Sequence, residues 1–188
     1  MFLWEYLKHP FRVGAVAPSG KALARKMMEP VDFGRAEVLV EYGPGTGSFT
    51  RELLARKRPE TLLILIEQNE TFFRELYDRY HGRDNTLVLC GSAEAADTLV
   101  REQGAEGADA VVSGLPFTSL PGEVTLRVFE ATRRLIGEEG IFVTFQYSRV
   151  KQSLFSRHFR IKKVLKEKRN LPPAHVYVLK RKEVPAAD

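Results

Sequence analysis

The 188 residues amount to about one domain, and with 44% apolar and 28% charged side chains the chain is too apolar to stay disordered. Its longest uncharged run, residues 110–122, is 13 residues with two prolines and two glycines, short of the roughly 20 apolar residues that cross a bilayer. One cysteine, Cys90, excludes an intramolecular disulfide and a cysteine zinc cluster, so no metal is expected and a reducing cytoplasm fits.

From the N-terminus, Phe2, Leu3, Tyr6 and Leu7 fall on one face of a short helix that Pro10 ends. Glu5, Lys8 and Arg12 interrupt this stretch and no small-residue cleavage site follows, which argues against a signal peptide. After an apolar loop, Ser19 is placed to cap a second helix over residues 20–28, with Leu23 and Met27 on one face. Residues 1–30 therefore read as a helical, amphipathic appendage to a domain at 31–188.

That domain alternates. Apolar, β-branched runs at 37–42, 61–67, 86–90, 108–113 and 141–147 are separated by helical patterns at 49–58, 70–80, 93–103 and 123–135. Near-continuous hydrophobic strands are what a parallel sheet covered on both faces requires, so the pattern predicts a doubly wound α/β fold. A helix over about 150–159 leads into two last strands, 161–169 and 175–182. Their four-residue joint, Asn170-Leu171-Pro172-Pro173, is too short for a helical crossover and makes them an antiparallel hairpin. Charge is uneven: residues 149–182 carry twelve Lys or Arg against the single acid Glu167, a segment of +11 on a remainder of −6. Such an end suits an anionic partner, a phospholipid surface or a nucleic acid, and equally suits an edge strand that carries lysines against aggregation.

The chemistry sits at strand ends. After the first strand comes Glu41-Tyr42-Gly43-Pro44-Gly45-Thr46-Gly47-Ser48. Glycines at alternate positions let the backbone turn tightly and approach a ligand at the edge where open α/β sheets bind them. The spacing is neither the dinucleotide fingerprint nor a P-loop, since Ser48 stands in the place of the fingerprint's third glycine and no Gly-Lys-Ser/Thr follows. The second strand ends in Glu67-Gln68, which places a carboxylate to accept both hydroxyls of a ribose and points to a nucleoside-containing ligand. The third ends in Gly91-Ser92-Ala93-Glu94, where small residues admit a flat ring, or where Ser92 simply caps the next helix. The fourth ends in Ser113-Gly114-Leu115-Pro116-Phe117.

These four segments together resemble the class I S-adenosylmethionine-dependent methyltransferases over nearly the whole chain: a Rossmann-like, mostly parallel seven-stranded sheet with a C-terminal antiparallel hairpin. The resemblance implies that Glu41, Gly43, Gly45 and Gly47 hold the methionine end of S-adenosylmethionine, Glu67 with Gln68 the ribose, and Ser92 with Ala93 the adenine. Gly114 would border the cofactor, with the segment after it lining the place where donor meets acceptor. Glu-x-Gly-Pro-Gly-Thr-Gly followed by Leu-Pro-aromatic is similar to the ribosomal RNA adenine dimethyltransferases, but Gly114 and Phe117 stand where those enzymes have Asn and Tyr. The chain is more similar to the soluble-type bacterial phospholipid N-methyltransferases, through Phe2-Leu3, Gly14-Ala15-Val16-Ala17-Pro18-Ser19, Ser113-Gly114-Leu115-Pro116 and Asn170-Leu171-Pro172-Pro173-Ala174. This resemblance implies methyl transfer to the amine of phosphatidylethanolamine or its methylated forms, with Ser19, Leu115, Pro116 and Phe117 positioning the substrate.

Physical chemistry adds to that reading. Phe2 and Trp4 beside Lys8 and Arg12 make the aromatic and basic mixture of a membrane interface, so peripheral attachment to the anionic inner face of the membrane is expected; an ordinary helix packed on the sheet is the alternative. Tyr147 at the end of the fifth strand is the candidate to take the amine's proton, with His175 behind it, and the face of Phe117 is expected to favour the methylated cation. Nucleic-acid methylation and a non-catalytic cofactor-binding module are the competing functions.

Overall fold

The computed structural model describes residues 18–147, 152–170 and 172–182. Its elements run α1 (Pro18–Met28), β1 (Val38–Tyr42), α2 (Ser48–Leu54), β2 (Leu62–Glu67), α3 (Glu70–Tyr80), β3 (Thr86–Cys90), a 3-10 turn (Ala93–Ala95), α4 (Ala96–Glu102), β4 (Ala110–Ser113), α5 (Gly122–Ile136), β5 (Ile141–Gln146), α6 (Gln152–His158), β6 (Phe159–Glu167) and β7 (Ala174–Arg181). The seven strands form one sheet of order β3-β2-β1-β4-β5-β7-β6. The first five strands are parallel and β7 runs antiparallel between β5 and β6. This is the seven-stranded mixed sheet with a terminal hairpin that the sequence predicts.

Period-two alternation along buried strands distributes side chains between two cores, one on each sheet face. On one face Val40, Ile64, Val111 and Phe142 meet Val100 of α4, Val128 and Phe129 of α5 and Phe155 of α6. On the other, Leu39, Leu63, Val112 and Val143 meet Leu53 of α2, Leu76 of α3 and Leu23, Met27 and Met28 of α1. Leu23, Met27 and Met28 are 0–4% exposed, so the apolar face of this helix belongs to the core of the domain rather than to an appendage. The shorter helix at residues 2–9 lies outside the described residues.

Two boundaries differ from the pattern for local reasons. The helix predicted over 49–58 stops at Leu54; Pro59 disfavours helical geometry at the residue before it, and the ammonium of Lys57 instead donates to the carbonyls of Arg58 and Thr61 at 3.3 and 3.0 Å. The helix predicted over 93–103 divides at Ala95, whose φ and ψ of −109° and 17° are not helical. The Ser92 hydroxyl caps the 3-10 turn by accepting from the Glu94 N–H, and α4 begins only after it.

Candidate active site

The strand order reverses at β1: the chain proceeds outward through β2 and β3 on one side and β4 and β5 on the other. Ligands of open α/β sheets bind in the crevice beyond the carboxyl ends of such strands. The turns meeting there are tied to each other through backbone bonds. The Gly43 N–H donates to the Ile66 carbonyl at 3.0 Å, that of Gly91 to Glu67 at 3.1 Å and that of Gly114 to Tyr42 at 3.1 Å.

Gly43, Gly45 and Gly47 all have positive φ, 61°, 55° and 79°, a region that costs an L side chain strain. A Cβ on Gly43 would lie 2.9 Å from Cδ2 of Leu115, and one on Gly114 would lie 3.2 Å from the Gly43 carbonyl oxygen. The β1 and β4 turns can approach this closely because both lack side chains. A Cβ on Gly45, by contrast, would meet nothing within 4 Å, so the outer side of the loop is open for a ligand.

Two buried carboxylates underlie this loop. Glu67, 3% exposed, accepts from the Gly45 N–H through Oε2 at 3.0 Å and from the Asn69 N–H through Oε1 at 2.8 Å. Asn69 in turn caps α3 by accepting from Thr71 and Phe72. Burial pushes the Glu67 carboxyl above its ordinary range, against these backbone donors. Glu41 is fully buried; its Oε2 accepts from the Thr50 hydroxyl at 2.7 Å, and its Oε1 has no hydrogen-bond partner. Desolvation, opposed by the Thr50 bond and reinforced by the charge of Glu67, raises its pKa to about 8. An orphaned carboxylate oxygen in a fully buried setting invites a cationic or hydrogen-bond-donating ligand.

At β3 the Ser92 hydroxyl is engaged by Glu94, accepting from its N–H at 3.2 Å and donating to its Oε1 at 3.1 Å. Capping is thus the role this hydroxyl fills here. Glu94 is itself held by the Arg127 guanidinium of α5, while Ala93 is buried beside it. Gln68 is exposed next to Glu67.

A seven-stranded sheet with a terminal hairpin and a three-glycine turn flanked by two buried acids defines a class I S-adenosylmethionine-dependent methyltransferase. Among solved structures the fold is similar to that of the N-methyltransferase NodS from Bradyrhizobium japonicum, crystallised with S-adenosyl-L-homocysteine, with a TM-score of 0.76 over 97% of this chain and all of that one at 11% identity. No family model matches the chain. It is 33% identical over 178 residues to the ornithine lipid N-methyltransferase of Singulisphaera acidiphila, covering 94% of this chain and 93% of that protein. A shorter similarity, 36% over 75 residues, links 40% of the chain to a quarter of the ribosomal RNA small subunit methyltransferase A of Moorella thermoacetica. The chain belongs to the family of the ornithine lipid N-methyltransferase and is an S-adenosylmethionine-dependent N-methyltransferase.

The residues present fit that cofactor. The open side of Gly45 leaves room for it, and the orphaned Glu41 oxygen faces a need that a positively charged ligand meets. Glu67, held in place by backbone donors, keeps acceptor capacity to spare.

The acceptor side departs further from expectation. Phe117 does not face the crevice: it is 2% exposed and packs against Phe129, Phe142 and Phe155 with ring centroids 5.0, 5.9 and 6.1 Å away. The turn that Pro116 closes, with the Ser119 N–H donating to its carbonyl at 2.8 Å, accompanies that inward course. The expected contact of this ring with a methylated cation is therefore withdrawn. Leu115 lies over Gly43, and Pro116 is half-buried. Tyr147, 38% exposed, lies edge-on to Phe145 at 5.4 Å just past β5, and His175 opens β7 opposite Gln146. Ser19 falls within α1; Phe2, Trp4, Lys8 and Arg12 lie outside the described residues.

Three residues at these strand ends had no signal in the sequence. Thr50 is an ordinary helix residue until its hydroxyl is seen on Glu41, Arg127 meets Glu94 across 33 residues, and Gln146 reads as one more residue inside the strand at 141–147.

Proposed function

We propose that the chain transfers methyl groups from S-adenosylmethionine to the amine of a lipid head group at a membrane surface, phosphatidylethanolamine or an amino-acid lipid of the ornithine type being the acceptor. The observation that carries this reading is the similarity, over nearly the whole of both chains, to an enzyme named for a lipid amine. The bound cofactor supplies an electrophilic methyl group on a sulfonium. The protein's part is to position, exclude water and accept a proton. Glu41 and the glycine loop would hold the methionine end, and Glu67 with Gln68 the ribose. A head-group ammonium has no lone pair, so it must lose its proton before attack; the Tyr147 hydroxyl just past β5 is the group to relay it, passing its own proton to water as it accepts the one from the amine.

Support for the surface comes from the residues themselves. No helix among the described residues is long and apolar enough to cross a membrane. Aromatic Phe2 and Trp4 lie beside basic Lys8 and Arg12, and the basic C-terminal segment adds attraction to an anionic cytoplasmic leaflet. The test is incorporation of labelled methyl into organic-phase lipid, with phosphatidylethanolamine and an ornithine lipid assayed beside ribosomal RNA. Label in lipid is expected. Label found only in RNA would move the function to the base methyltransferases that the shorter similarity represents.

A further inference from the structure

Among the described residues, Gln146 leaves a buried donor unused at the carboxyl edge of the sheet. Gln146, the last residue of β5, is 5% exposed and its Nε2 has no hydrogen-bond partner among the described residues. Buried amides are ordinarily satisfied, so an orphaned one implies an acceptor supplied from outside. Its setting says what kind. Along β5, Phe142, Thr144 and Gln146 share the face that α5 and α6 cover. Phe142 sits in the ring cluster and the Thr144 hydroxyl donates to the Ser113 carbonyl at 3.5 Å. Gln146 is where that row reaches the carboxyl edge of the sheet, two residues beyond the level at which Thr144 pairs with Ser113.

Across the sheet the register aligns Gln146 with His175 of β7, and His175 with Lys166 of β6. Directly paired residues project from the same face, so amide, imidazole and ammonium make one row about 10 Å long. The acidic residue next in β6, Glu167, belongs to the opposite face and is held by Arg169. The row thus offers a buried donor at its inner end and a positive charge at its exposed outer end. Its inner end lies one strand from the Gly114 turn.

We propose that Gln146 donates from Nε2 to an anionic oxygen of the acceptor head group, with Lys166 supplying the charge that draws this oxygen in, so that the amine is turned toward the glycine loop. The oxygen is the carboxylate of an amino-acid lipid or the phosphate of phosphatidylethanolamine. This rests on the lipid reading above and deepens it by assigning the acceptor subsite.

The experiment measures methyl transfer by the full chain in mixed micelles. Each lipid is compared with its analogue in which the anionic oxygen is capped as a methyl ester. Gln146→Met, which conserves volume, should raise KM for the uncapped acceptor about tenfold or more, the range for a hydrogen bond to a charged group. Gln146→Glu should raise it further by repulsion. Both variants should bind S-adenosylhomocysteine like wild type, and the capped analogue should show less than a twofold difference between wild type and Gln146→Met. The lipid that displays this pattern identifies the source of the oxygen. Should the buried variants fail to bind cofactor, exposed Lys166→Ala carries the same comparison. An unchanged KM in variants that bind cofactor, or an equal loss with capped and uncapped lipid, overturns the subsite alone. Wild type that binds cofactor but methylates neither lipid overturns the lipid reading and the subsite with it.

Discussion

The half of the sheet built from β1, β2 and β3 and the half built from β5, β7 and β6 differ in how firmly the polar groups at their carboxyl edge are held. In the first, both oxygens of Glu67 accept backbone N–H groups, and Asn69 and Ser92 cap the elements that follow. The loop geometry is fixed before any ligand arrives, which is the preorganisation that tight binding of a small cofactor favours. In the second, the interior beneath the carboxyl edge is a cluster of phenylalanine rings, and polar groups appear at the rim: buried Gln146 with an unused donor, half-buried His175, exposed Tyr147. Each half also keeps a buried atom unpaired, Glu41 Oε1 in the first and Gln146 Nε2 in the second, so the contrast lies in how firmly the surrounding turns are tied.

The sharpest way to break this division is at Phe117, which belongs to the acceptor half by sequence but to its core by packing. Phe117→Ala should lower stability by about 3 to 5 kcal/mol, as for other buried phenylalanines, measured by denaturant unfolding. Among molecules still folded, the acceptor KM should move little. A large change in KM with stability preserved would return the ring to the crevice. Next in size is Glu67→Ala, which strips the acceptor from two backbone donors. Each charge-assisted bond is worth about 1.5 to 3 kcal/mol, so calorimetry should find S-adenosylhomocysteine binding weakened about tenfold or more. Wild-type affinity in this variant would remove Glu67 from the cofactor half.

The same division explains what was legible in the sequence. The cofactor half is written in contiguous residues: three glycines within five positions, an acid two residues before them and another at the next strand end. Local backbone geometry demands those residues, so the pattern alone reports them, and the sheet follows from hydrophobic runs whose period is equally local. The acceptor half depends on registers. Nothing in the sequence aligns residues 146, 175 and 166, because that juxtaposition arises from a hairpin folding back beside β5. Phe117 was misread for a related reason: an aromatic residue after a strand suggests a stacking platform until the rings of α5, β5 and α6 are seen around it. The helix Pro18–Met28 was taken for part of an appendage because the elements it packs on, α2 and the distant β5, β6 and β7, are brought to it only by the fold.

Glu41 offers a smaller but directional probe of the cofactor half. Its carboxyl rises from an unfolded value of about 4.5 to about 8 on folding, so the native state holds a proton that the unfolded chain has lost. Stability from this group is complete below the unfolded pKa and declines as pH rises toward 8, by about 1.4 kcal/mol per pH unit at most. Thermal unfolding at pH 6.5 and 8 should differ by up to about 2 kcal/mol from this source. Glu41→Gln should flatten that slope, while Asp97 and Glu167, both held below their ordinary range, act at acid pH in either protein. Binding of a positively charged cofactor favours the ionised form and should release a proton, visible as a buffer-dependent enthalpy that the variant lacks.

The smallest effect concerns the outer rim of the acceptor half, where two explanations of the same charges diverge. Lys162 and Lys163 are exposed on edge strand β6, at the irregularity of its pairing with β7. A bulge and lysines are both ways of protecting an edge from pairing with another chain. They are also what an anionic membrane would attract, at roughly 1 kcal/mol for each basic residue near the surface. If the rim meets lipid, Lys162→Ala should weaken sedimentation with phosphatidylglycerol-containing vesicles by about fivefold at low salt. The difference should vanish at high salt, because the attraction is screened within a Debye length. Unchanged binding together with self-association in analytical ultracentrifugation would make the lysines protection for the edge, and the attraction to the membrane would then rest on the N-terminal aromatic segment instead.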